Sequence, residues 1–200
     1  MKTKEKIFET ALNLFAEKGF KATSIREITR ETGLSVASFY NHFKSKNELL
    51  QAIYDYYTGL EQNGPAARPD YENLLDQMSP FELFDDLARQ IIASLSNEKL
   101  VKLTRVIINE QYTNKTAGEI AFRDRQSLLT SMEELFAAMG RKGMVKTENP
   151  QALGKLVGYI YLGFASDNIH YCILGQEEPK AIVNQQLDLI RSLLQDIVSA

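Results

Sequence analysis

Apolar side chains recur every three or four residues along nearly the whole chain, and no stretch alternates apolar with polar residues long enough to make a strand. That periodicity restricts the fold to packed helices. Phe8, Ala11, Leu12 and Phe15 make one helical stripe, and Gly19 follows Lys18 where a helix C-terminus favours glycine. Ser24 and Glu27 are spaced as a capping box opening a second helix, 24–32, with Ile25 and Ile28 inward and Gly33 at its end. Ser35 can cap a short third helix, 36–43. Ser45 and Glu48 form another capping box ahead of a fourth, which carries Leu49, Leu50, Ile53, Tyr54 and Tyr57. The run from Gly64 to Pro69 then reads as a loop, and Ser79-Pro80 restarts a helix with serine at the cap and proline in the first turn. Further helices are expected over 80–96, 98–113, 116–140, 150–174 and 179–198. The expectation is an all-α chain of about nine helices.

The chain has 200 residues, 44% of them hydrophobic, which is enough to build a core and excludes wholesale disorder. Its longest apolar run, Leu156 to Ala165, is half of the roughly 20 residues a membrane-spanning helix needs. The start, Met1 to Lys6, is basic but leads into an amphipathic segment rather than the apolar core of a signal peptide. Cys172 is the sole cysteine, so neither an internal disulfide nor a cysteine-rich zinc site can form. A soluble, cytoplasmic protein without membrane partners is expected. Net charge is -3, but unevenly spread: residues 1–50 hold nine Lys/Arg against six Asp/Glu, while the rest hold fourteen against twenty. A basic first quarter on an acidic body suits a protein of which only that part meets a polyanion.

Helices 24–32 and 36–43, joined by a turn of about three residues containing Gly33, have helix-turn-helix spacing: the first braces and the second can enter a DNA major groove. Ordinary helical hairpins share this spacing, but the third helix carries Val36-Ala37-Ser38-Phe39-Tyr40-Asn41-His42, with small, hydroxyl, phenol and imidazole groups where a purely structural helix would carry Leu or Ile. Ser38 and Tyr40 can donate to phosphates or base edges, and Ala37 permits close approach to a thymine methyl. Lys46 sits in the first turn of the next helix, where a cation and unpaired backbone amides together suit a phosphate.

From about Lys4 to Ile53 the chain resembles the TetR family of transcriptional repressors. The resemblance rests on Ala11-x-x-Leu14-Phe15-x-x-Lys18-Gly19-Phe20, Thr23-Ser24-Ile25-Arg26-Glu27-Ile28, Thr32-Gly33-Leu34-Ser35, and Ser38-Phe39-Tyr40-x-His42-Phe43-x-Ser45-Lys46-x-x-Leu49, in that order and spacing. Ala37 and Ser38 stand where the family usually has glycine and threonine, departures that bear on base preference. The resemblance implies that Thr23, Tyr40, His42 and Lys46 hold the DNA backbone, that Val36, Ala37, Ser38 and Asn41 face bases, and that Ser35 lies near the backbone at the helix start. Phe39 and Phe43 read as core, and packing is an alternative role for His42. The implied division is a helix-turn-helix DNA-binding domain, 1–46, followed by a helical ligand-binding and dimerisation domain, 47–200.

In that family the body dimerises through its last two helices and encloses an inducer site. The sequence agrees in part: helix 150–174 is apolar on more than one side, and helix 179–198 repeats Ile182, Leu187, Ile190, Leu193, Leu194 and Ile197. Such wide apolar surfaces suit a two-fold four-helix homodimer interface, and Gly154, Gly158 and Gly163 would allow close helix approach. Polar groups within apolar helices are the candidate ligand contacts: Arg105, Asn109, Gln111 and Tyr112 in one, Asn168, His170 and Tyr171 in another. Each can equally be a surface or internally bonded residue. His170 and Cys172 point about 200° apart on a helix, with no third ligand nearby, so no metal site is expected.

The expected function is a sequence-specific DNA-binding transcriptional regulator, a dimeric repressor that a small-molecule inducer releases from a double-stranded operator. The alternative is a DNA-binding regulator controlled by a protein partner, or not switched by a ligand. Catalysis is not expected, because the sequence has no glycine-rich phosphate loop, no His/Glu metal pair at helical spacing, and no nucleophile with an identifiable base. No cofactor is called for.

Overall fold

The structure, a computed structural model, describes residues 2–62, 69–174 and 179–198. Among these, ten helices form: α1 (Thr3–Lys18), α2 (Ile25–Thr32), α3 (Val36–Tyr40), α4 (Lys46–Gln62), α5 (Tyr71–Gln77), α6 (Pro80–Leu95), α7 (Glu98–Glu110), α8 (Lys115–Arg141), α9 (Pro150–Leu174) and α10 (Pro179–Leu194). The all-α expectation holds, with one helix more than anticipated. The expected loop at 64–69 falls almost wholly outside the described residues.

The additional helix is α5. Asp70 caps it, accepting a hydrogen bond from the Asn73 amide at 3.2 Å, and it buries Tyr71 and Leu75. Seven residues hold too few turns for a period of 3.6 to stand out. Three other helices end earlier than expected. α3 stops at Tyr40 because the amides of His42 and Phe43 both turn back onto the Phe39 carbonyl, at 2.9 and 3.0 Å, which swings Phe43 into the core. α7 stops at Glu110, and the Asn114 side chain caps α8 instead, accepting from the Ala117 amide at 3.2 Å. α10 stops at Leu194 because Val198 pairs with Val145 in an antiparallel bridge, with the Lys146 amide 2.8 Å from the Ile197 carbonyl. The caps expected at Ser24, Ser35, Ser45 and Ser79 all form, each hydroxyl accepting from the amide three residues on.

The chain forms two compact units, residues 1–66 with 98–122, and residues 67–97 with 123–200. In the first, α1 packs against α2, α4 and α7. Ile7, Ala11, Leu12 and Phe15 of α1 join Ile28, Phe39, Phe43, Leu49, Ile53, Leu103 and Val106 in one core. Phe8, expected in the buried stripe, is only partly covered, and Ile7 takes the central place. A cut after residue 46 therefore runs through one packed core, because α4 and α7 supply part of the core on which α2 and α3 rest. In the second unit α6 packs against α5, α9 and α10, around Phe84, Leu135, Phe136, Val157, Ile190 and Leu194.

Gly154 and Gly158 do allow close approach, and the neighbour is α8 of the same chain. A Cβ on Gly154 would collide with the Met132 carbonyl oxygen and lie 2.8 Å from Phe136 Cβ; one on Gly158 would lie 3.0 Å from Leu129 Cδ2. The space at Gly59 in α4 is open, with nothing within 4 Å. Gly154→Ala should therefore lower unfolding free energy by about 1–3 kcal/mol through overpacking. Gly59→Ala should raise it by about 0.5–1 kcal/mol through helix propensity. Urea titrations of the two variants check both signs.

Candidate nucleic-acid interface

Ser24 caps α2, its hydroxyl accepting from the Glu27 amide at 3.1 Å, and α2 runs to Gly33, whose φ of +66° and ψ of 25° place it in the left-handed region. A side chain there would be strained, so glycine makes the sharp exit possible. The Gly33 and Leu34 amides close the helix onto the Arg30 and Thr29 carbonyls at 3.1 and 2.9 Å. Two residues later Ser35 caps α3. This is the helix-turn-helix expected from the spacing.

α3 is divided cleanly between core and solvent. Phe39 is fully buried and Phe43 nearly so, their ring centroids 6.0 Å apart. Ser35, Val36, Ala37, Tyr40 and Asn41 are exposed, while Ser38 and His42 are half-buried. Tyr40 is 52% exposed, with its ring edge-on to Phe39. The residues expected to meet DNA from this helix thus lie together on its open side, with the two phenylalanines as its anchor.

Two of the expected backbone contacts have internal partners. Thr23 is only 1% exposed, and its hydroxyl donates to the Gly19 carbonyl at 3.0 Å, shaping the α1–α2 turn. The Lys46 ammonium, at the start of α4, donates to the carbonyls of Phe20 and Thr23 at 2.7 and 2.6 Å and lies 4.2 Å from the Phe20 ring centroid. It clasps the same turn from the other side. Burial lowers its pKa, and the negative charge of Glu110 on α7, itself buried, works in the opposite direction.

Two further cations, Lys4 and Lys44, are not singled out by any sequence motif. Lys4 lies with its ammonium 5.4 Å from the Phe43 ring centroid, so the first turn of α1 stands beside the end of α3. Both lysines are exposed. Lys44 is near α3 by chain connectivity, whereas the nearness of Lys4 depends on how α1 packs. Lys18, by contrast, is paired with Glu27, whose carboxyl is held below its usual range chiefly by that bond.

The described candidate ligand residues fall in both units. Arg105, Asn109, Gln111 and Tyr112 belong to the first unit and Asn168 to the second. Tyr112 is 87% exposed and Asn109 is exposed, Arg105 is half-buried, and Gln111 donates to the Ile108 carbonyl of its own helix at 3.1 Å. Asn168 is buried, its side-chain oxygen accepting from Gln186 at 2.8 Å, which ties α9 to α10. The His170 and Tyr171 side chains lie outside the described residues. A cavity of about 470 Å³ opens between α8 and α9, lined by Thr130, Glu133, Glu134, Ala137, Arg141 and Gln151, none of them anticipated. Among the described residues no group of three or more His, Cys, Asp or Glu could hold a metal ion, and no helix is long and apolar enough to cross a membrane.

Lys46→Ala should cost about 1–3 kcal/mol of stability, because it removes two hydrogen bonds from a cation to partly buried carbonyls. Tyr40→Ala, on the open face, should change stability by no more than about 0.5 kcal/mol. Equal effects in urea unfolding would contradict this division between clasp and contact face.

Residues 7–53 match the family model described as bacterial regulatory proteins, tetR family. The chain is 34% identical to an uncharacterized HTH-type transcriptional regulator of Bacillus subtilis, YerO, in a match spanning 98% of this chain and 68% of that protein. AibR, solved with isovaleryl coenzyme A and operator DNA, has a similar fold, with a TM-score of 0.66 at 21% identity over 94% of this chain and 97% of that one. SmeT, solved with triclosan, matches with a TM-score of 0.65 at 20% identity over 98% and 92%. With a helix-turn-helix whose second helix keeps its polar side open, and a relative sharing a third of its residues across 98% of this chain and 68% of its own length, this chain belongs to the TetR family of DNA-binding transcriptional regulators.

Proposed function

We propose that the protein is a homodimeric repressor whose α3 enters the major groove of an operator half-site, and whose helical body binds a small molecule that releases the DNA. The observation that carries the DNA half is the open side of α3, where Val36, Ala37, Tyr40 and Asn41 are exposed over a buried Phe39. Val36, Ala37, Ser38 and Asn41 face bases, and Ser35, Tyr40 and His42 hold the backbone. Lys4 and Lys44 join them as exposed cations near the same edge. Thr23 and Lys46 act through the α1–α2 turn that they hold, and the Lys46 cation adds to the positive field that draws in the DNA backbone.

The dimer reading rests on the last two helices. Leu156 and Tyr159 of α9, and Leu189 and Leu193 of α10, are each half exposed or more, although these helices pack against one another. Large apolar side chains left open along adjacent helices suit a second copy presenting the same face. Two heads held about one helical turn apart, roughly 34 Å, would read two half-sites. The ligand reading is supported by the fold shared with AibR and SmeT, whose structures hold isovaleryl coenzyme A and triclosan.

Operator sequences selected from random DNA provide the test. Tyr40→Phe should weaken binding about five- to tenfold at every sequence, the loss of one backbone hydrogen bond per head. Asn41→Ala should relax the preference at one base position instead. Unchanged affinity and preference in both would remove α3 as the reading helix. Leu189→Glu combined with Leu193→Glu should sediment as a monomer and lose most operator affinity, and a persistent dimer would place the interface elsewhere.

A further inference from the structure

Two buried phenol oxygens lack a hydrogen-bond partner among the described residues, those of Tyr54 and Tyr161. A buried hydroxyl without a partner is costly, and the cost disappears when a partner arrives. The two sites differ in access. Tyr54 is sealed in the first core, 1% exposed from ring to hydroxyl. Tyr161, in the second unit, is only partly covered as a residue while its oxygen is buried, so it lies at the margin of its core rather than sealed within it.

The surroundings of Tyr161 are apolar. It lies on α9 in register with Val157, Phe164 and Asn168, at spacings of four, three and four residues that put all four on one helix face. The Phe164 ring packs edge-on to it with centroids 6.5 Å apart. Ile91, Ile92 and Leu95 of α6 and Leu128 of α8 are likewise only partly covered at the margin of the same core. Burial pushes the phenol pKa up to about 12, so it stays protonated and able to donate throughout the physiological range. The one buried polar residue described in this unit is Asn168, already bonded to Gln186, and no buried charge is described there. A charged ligand group would enter without a counter-charge, at heavy cost.

We infer that Tyr161 is the polar anchor of the ligand site and that the ligand is a neutral, mainly apolar molecule presenting one hydrogen-bond acceptor, such as a carbonyl oxygen, to the phenol. This rests on the ligand-switched reading above and narrows it to a chemical class. The Tyr161 hydroxyl orients the acceptor, and Phe164, whose ring packs against it, covers part of the apolar remainder. Anionic and cationic molecules of the same size are disfavoured, because no fully buried charge among the described residues of this unit would meet them.

The test uses matched probes on the full chain. Benzophenone and diphenylmethane share a shape but differ in the carbonyl, and diphenylacetate and (diphenylmethyl)trimethylammonium supply the two charges on the same pair of rings. Thermal-shift titrations of the wild-type protein should show the ketone binding about five- to tenfold more tightly than the hydrocarbon, the worth of one buried hydrogen bond, with both ions weaker still. In Tyr161→Phe that preference should vanish, and the midpoint of the unliganded protein should rise because the unpartnered hydroxyl is gone. Equal binding of ketone and hydrocarbon by the wild type overturns the inference without recourse to the variant. So does a ketone preference that survives in Tyr161→Phe, tighter binding of either ion, or silence from every probe up to its solubility limit. Operator binding separates the two levels. Tyr161-dependent binding that leaves DNA bound would sustain the anchor and remove the switch. Release by a molecule indifferent to Tyr161 would do the reverse.

Discussion

α3 is five residues long, a length at which an isolated helix does not persist in water, since stable ones need about 12–15 residues. It exists because Phe39 and Phe43 fasten it to a core supplied by α1, α2, α4 and α7. Everything its outer side can do for DNA follows from that attachment. With the apolar contacts on one side, the other can carry small and polar groups at no cost to folding. The serine cap at Ser35 and the left-handed Gly33 then determine the direction in which those groups point.

The same economy explains Lys46. A lysine at the first turn of a helix beside a DNA-reading element looks, in sequence, like a phosphate contact. Its ammonium instead bridges two carbonyls left over at the end of α1 and in the α1–α2 turn, beneath the Phe20 ring. Thr23 ties the turn from within. α4 is thereby joined to the elements carrying α2 and α3 by a charged clasp as well as by apolar packing. A displacement of the first turn of α4 must either carry the α1–α2 turn with it or break two charge-assisted bonds.

Much of this was legible in the chain. The caps at Ser24, Ser35, Ser45 and Ser79, and the stops at Gly19 and Gly33, depend on neighbours within four residues, and a sequence displays those directly. Phe39 and Phe43 were legible as core because they fall on the inner side of a short amphipathic turn. The failures share a different cause. α5 is too short to establish a period, and the early ends of α3 and α10 are imposed by Phe43 entering the core and by Val198 pairing with Val145, both tertiary events. The internal bonds of Thr23 and Lys46 were equally hard to read ahead, because backbone carbonyls leave no mark in a sequence. Gly154 and Gly158 were legible as points of close approach, but not that α8 of the same chain would fill the space.

A head with so few contacting groups also makes regulation thermodynamically modest. A hundredfold loss of operator affinity requires a coupling free energy of about 2.7 kcal/mol between ligand and DNA. In the proposed scheme the ligand must supply that difference between its affinities for two conformations, and no tighter uniform binding can replace it. One buried hydrogen bond of about 1 kcal/mol, together with about 70 Å² of apolar surface covered in one conformation and open in the other, near 25 cal/mol per Å², reaches the figure. The Tyr161 phenol, without a partner among the described residues and in a core whose margin leaves apolar side chains of α6, α8 and α9 half covered, offers a difference of that size.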